Sequence, residues 1–128
     1  MRNFNLNAMV DAYAVCALWS STDDDCKPLD DEYSVDDISP ETMQSMRADC
    51  EEFAKSNNAD LLEYCARMKN EQWSGESRAG HDFWLTRNGH GAGFWDRGLG
   101  ALGERLSKAA KIYGSVDLYV GDDEQVHS

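Results

Sequence analysis

Between Gly80 and Gly98 the chain gathers side chains that recognition and catalysis draw on: His81, Trp84, Arg87, Asn88, His90, Trp95, Asp96 and Arg97. The indoles offer stacking faces, the guanidiniums pair with phosphate or carboxylate, and the imidazoles exchange protons near neutrality. As a set they suit a nucleotide, held by base stacking and phosphate pairing. They suit a protein contact equally, because Trp and Arg dominate interface energetics. Gly80, Gly89, Gly91, Gly93 and Gly98 are interleaved with them. Glycine at that density costs chain entropy, which tight turns, close packing or a ligand against the backbone would justify.

More specific chemistries find less support. His81-Asp82 lacks the further His and Asp ligands on helices that a di-metal phosphohydrolase centre requires. A metal held by His81, His90 and Asp96 matches no common ligand spacing. The Gly-x-Gly runs lack the lysine and the strand–helix context of a phosphate loop. Asp23 and Asp25 begin like a calcium loop, but no glycine or terminal glutamate follows in place. Nothing marks a nucleophile, so an enzyme ranks behind a binding protein, and neither cofactor nor metal is expected. Cys16, Cys26, Cys50 and Cys65 form no C-x-x-C pair. Cys16, Cys50 and Cys65 sit among apolar neighbours and read as buried thiols.

The elements that must position these residues read as α+β, with helices packed on one face of a small, mainly antiparallel sheet. Met9, Ala12, Cys16 and Trp19 recur at helical spacing from about Asn5 to Trp19. Ser39-Pro40-Glu41 opens a second helix with a capping hydroxyl, proline at the first position and an acid facing the dipole. Met43, Met46, Cys50 and Phe53 carry its apolar stripe, and a shorter helix follows from about Ala59 to Met68. Residues 70–80 read as a connection. His81 to Arg87 alternates, and Asn88-Gly89 is a hairpin turn signal, so a strand returning through Phe94-Trp95 is expected. Asp96 caps a helix with its stripe on Leu99, Leu102, Leu106, Ala109, Ala110 and Tyr113. Val116 to Val120 and Gln125 to His127 close the chain as a short hairpin. Residues 1–128 form one domain, an acidic helical half (1–74) and a glycine- and aromatic-rich half (75–128).

Charge separates the halves. The net charge is −12, with 16 acids and six Lys or Arg in residues 1–74 but eight and six thereafter. Asp23, Asp24, Asp25, Asp30, Asp31, Glu32, Asp36 and Asp37 face a single Lys27, an exposed acidic face pinned to the core by Leu29, Tyr33, Val35 and Ile38. Such a chain repels nucleic acid and attracts a basic protein surface. No apolar run of membrane-spanning length is present, and the first ten residues lack a secretory pattern, so a cytoplasmic location is expected.

The run His81-Asp82-Phe83-Trp84-Leu85-Thr86-Arg87-Asn88-Gly89-His90-Gly91-Ala92-Gly93-Phe94-Trp95-Asp96-Arg97-Gly98 resembles a family of small bacteriophage and mobile-element proteins. Val116 to Asp123, Leu18 to Asp23 and Tyr33 to Ile38 resemble it too. The resemblance implies a phage or mobile-element origin and carries over no activity or site residue. Glu124 departs from it, standing where glycine is expected after the Asp pair, and a less tight final turn follows. The expected function is inhibition or modulation of a bacterial host defence or nucleic-acid-processing protein, of anti-CRISPR or anti-restriction type. In its mimicry form, the acidic face occupies a basic channel in the host cytoplasm. The alternative is a protein that sequesters a nucleotide or nucleotide signal.

Overall fold

The computed structural model describes residues 4–23, 25–90 and 92–128. Among these residues the α-helices are α1 (Leu6–Ser20), α2 (Pro40–Ser56), α3 (Asn58–Met68), α4 (Gly75–Arg87) and α5 (Ala101–Lys111). Strands β1 (Tyr119–Val120) and β2 (Val126–His127) pair antiparallel. The class is α+β, and α2 packs against β2. Short 3-10 turns at Leu29–Asp31, Val35–Asp37 and Phe94–Asp96 shape the connections.

Several starts and stops follow local chemistry. Ser39 caps α2 by accepting the Thr42 amide, with Pro40 opening the helix. Gly114 adopts φ +73° after α5, with its amide on the Lys111 carbonyl. The terminal hairpin forms where expected, and Ser39 donates its amide to Val126, tying β2 to the start of α2.

The expected hairpin over His81–Trp95 is not formed; residues 75–87 are helix α4 instead. Asp82 through Arg87 are all buried, as are Glu76, Ala79 and Gly80. A helix buried nearly all round has no polar face to set its phase, so a chance alternation passes for a strand. Ser74 starts α4 by accepting the Ser77 amide. Asn88-Gly89 ends it rather than turning a hairpin: Gly89 adopts φ +69°. The Gly89 amide bonds Thr86 and the His90 amide bonds Leu85, the Schellman arrangement of a helix C-terminus. Asp96 is likewise not the cap of α5; it closes a 3-10 turn, and Gly100 precedes the helix.

Helix α1 packs along α4 more extensively than any other pair of elements. Gly80 sits at their crossing, where an added Cβ would collide with the Met9 carbonyl. Phe83 stacks on Phe53 with centroids 4.2 Å apart, and Phe94 joins them at 5.8 Å from Phe53. Gly93, at φ +153°, lets the chain pass the Thr86 hydroxyl, which accepts the Phe94 amide. These contacts bring the segment after α4 back across its flank.

Candidate functional site

The predicted site residues separate into an interior set and a surface set. Trp84 and Arg87 are buried and bonded within the scaffold, and Asn88 is partly buried; Trp84 and Asn88 also line a polar concavity. Trp84 is buried with its indole N–H donating to Ser20 Oγ at 2.7 Å and its ring edge against Tyr13. Arg87 donates to Asp49 (2.7 Å), the Tyr13 hydroxyl (3.0 Å) and the carbonyls of Tyr113 and Gly114. Tyr13 and Asp49 hold its charge against the opposing pull of burial. Asn88 donates to the Trp84 carbonyl and accepts the Val116 amide at 2.8 Å, joining the end of α4 to the start of the terminal hairpin.

His81, His90 and Arg97 are brought together. With Trp19, Leu85 and Ala92 they line a mainly apolar, open concavity of about 460 Å³. His81 is half-buried, with ring centroids 6.2 Å from Trp19 and 5.9 Å from Trp73. Desolvation holds its imidazole below the ordinary histidine value; Asp82 opposes this, and Arg97 and Arg78 add to it. Arg97 reaches the cavity from below, fixed by a two-pronged contact to Asp82 (Nη2–Oδ1 2.7 Å, Nε–Oδ2 3.2 Å). Asp82 is buried and also accepts the Tyr64 hydroxyl. Burial and the neighbouring carboxylate push the Tyr64 phenol far up, so it stays a donor. Arg97 is thereby orientated while its charge is balanced by Asp82.

A second, polar concavity of about 270 Å³ adjoins the first and shares Ser20 and His90 with it. Ser21, Thr22, Ser115 and Asp117 contribute to its wall. Trp95 and Asp96 are exposed on the 3-10 turn that precedes Arg97. Among the described residues no group of three or more His, Cys, Asp or Glu is placed to hold a metal, so His81, His90 and Asp96 do not form one. Among the described residues no helix is long and apolar enough to cross a membrane.

Sequence reasoning missed Trp19 and Trp73 as members of the surface. Trp19 was expected on the apolar stripe of α1, yet it is 56% exposed, and Trp73 is 41% exposed. Tyr64 and Asp82 are buried, and with the more exposed Asp49 they act through long-range pairing, which leaves no local sequence signal.

The acidic segment is held as expected: Leu29 and Ile38 are buried, and Tyr33 and Val35 pack partly against the core. Asp23 accepts the amides of Asp25 and Lys27, and Asp37 accepts that of Ser34. Asp25, Asp30, Asp31, Glu32 and Asp36 are exposed. Asp24 lies outside the described residues. No disulfide joins the described cysteines; Cys16, Cys50 and Cys65 are buried and Cys26 is exposed. Burial, with Asp82 adding to it, pushes the Cys16 thiol up to about 12.

Compared with known proteins, the chain matches no family model, no curated protein and no solved structure.

Proposed function

We propose that this is a protein-binding module of phage or mobile-element origin. It attaches to a basic surface of a bacterial host defence or nucleic-acid-processing protein and inhibits or modulates it. One observation carries the reading: Trp19 and Trp73 stand exposed, each with its ring near His81, in a chain that also displays a strongly acidic segment. Exposed tryptophan is unusual on a monomer and typical of interface anchors. The acids supply long-range attraction and orientation, and the indoles supply short-range affinity. Nucleic acid itself is repelled by the net charge. Cytoplasmic action inside the host is part of this proposal.

Affinity capture from a bacterial host, followed by binding and activity assays with the purified partner, tests it. Affinity should fall with added salt, because exposed charges are screened beyond about 8–10 Å. Replacing Asp25, Asp30, Asp31, Glu32 and Asp36 by their amides should weaken binding and flatten that salt dependence. A partner that binds the amide variant equally well contradicts the charge-driven reading.

A second reading, sequestration of a nucleotide or nucleotide signal, keeps some support because His81, His90 and Arg97 line one cavity with Trp19. It is weakened by the internal engagement of Arg87 and Asn88, two members of the set expected to hold a nucleotide. A rise in melting temperature with a nucleotide would favour it, since a ligand of the native state stabilises by mass action.

A further inference from the structure

A separate groove lies between α1 and the acidic segment. Its volume is about 350 Å³ and its lining is mainly apolar: Val15, Leu18, Tyr33 and Val35, with Asp30 and Asp36 at the edge. Val15 is 51% exposed, so it and Trp19 are apolar side chains of α1 left facing water. Val15 and Trp19 are one helical turn apart, so the groove and the Trp19–His81 cavity open along the same stretch of α1.

Negative charge closes round the groove. Asp30 and Asp36 come from two different 3-10 turns. No ion pair engages Asp30, Asp31, Glu32 or Asp36 among the described residues. Desolvation and the carboxylates of Glu32, Glu124, Asp37 and Asp23 all push the Tyr33 phenol upward, so the groove wall feels acids from the terminal hairpin as well. An apolar floor within such a field selects its occupant by charge. A second copy of this chain, at net −12, and an anionic membrane are disfavoured.

We infer that this groove receives an apolar side chain of the partner protein that is flanked by Lys or Arg. The apolar group covers Val15, Leu18 and Val35, the cationic stems lie across Tyr33, and their heads reach Asp30 and Asp36. The inference rests on the proposed protein-binding function and names the partner chemistry at one end of its contact surface.

The test is a titration of the isotope-labelled full chain with the peptide KRLLRK, followed by amide chemical shifts. Shifts are expected at Val15, Leu18, Tyr33 and Val35. The peptide KRGGRK, with the same charge and no apolar group, should bind about tenfold more weakly. Val15→Glu should weaken KRLLRK by a similar factor even though it adds a negative charge; its exposed position keeps the fold intact. Equal binding of both peptides, shifts elsewhere, or tighter binding to Val15→Glu would overturn the groove and leave only diffuse attraction. Self-association of the unaltered chain that Val15→Glu abolishes would instead assign the groove to a second copy. Each of these results leaves the Trp19–Trp73 surface untouched, so capture of a partner through that surface is judged separately.

Discussion

Arg87 joins three regions of the chain: Tyr13 on α1, Asp49 on α2, and the carbonyls of Tyr113 and Gly114 beyond α5. Arg87→Met removes the donor to all four acceptors, and stability should fall by about 3 kcal/mol in urea denaturation. Arg87→Lys should recover less than half of that loss, because one ammonium cannot span the planar fork. Glu124 makes the opposite case. It adopts φ +60°, its amide bonds the Gly121 carbonyl, and the terminal turn closes despite the missing glycine. Glu124→Gly relieves the left-handed strain and should raise stability by about 0.5–1 kcal/mol in the same experiment, after the entropic cost of glycine. His81 links the surface to pH. Its pKa lies lower in the folded protein than in the unfolded chain, chiefly through desolvation. The unfolded chain therefore binds more protons as pH falls through the ordinary histidine value of about 6.5, and stability declines there. Melting temperature against pH should show a shallower acid-side slope for His81→Gln; an unchanged slope would remove His81 as a contributor.

At the scale of elements, the readable parts were those whose signal is local. Ser39-Pro40 announces α2 by its cap, and residues 116–127 announce a hairpin by composition and turn. Leu29 and Ile38 anchor the acidic segment because a buried apolar residue stands out among acids. Helix α4 was not readable. Its amphipathic contrast is erased by burial on nearly every side, and Asn88-Gly89 serves a helix end as well as it serves a hairpin. The site inherited that error in part. His81, His90 and Arg97 do converge, whereas Trp84 and Arg87 are buried once the segment is helical and Asn88 bonds the Trp84 carbonyl and the Val116 amide. Their polar ends find partners up to 74 residues away in sequence, as Arg87 does with Tyr13, and no spacing rule reports such pairs. The glycines sort the same way: Gly80 serves a helix crossing rather than a ligand. Gly80→Ala should therefore cost about 3 kcal/mol or more, because α1 cannot yield at the Met9 backbone. Wild-type stability in that variant would place the α1–α4 crossing elsewhere.

For the whole molecule, the proposed binding function assigns attraction and grip to neighbouring surfaces. The acids of residues 23–37 create a field, and the exposed indoles of Trp19 and Trp73 lie at the end of α1 and before α4, where that field would guide a basic surface. The network of Asp82, Tyr64 and Arg97 fixes Arg97 in the wall of the Trp19–His81 cavity without adding net charge. Binding should thus depend on salt through association rate and on the indoles through dissociation rate. The most direct measurement is the dissociation constant of the captured partner for the chain carrying Trp19→Ala and Trp73→Ala together. Both side chains are exposed, so the fold and melting temperature should be retained. The account predicts a loss of affinity of about 30-fold or more, the scale of an interface anchor. Unchanged affinity in that folded variant would contradict it.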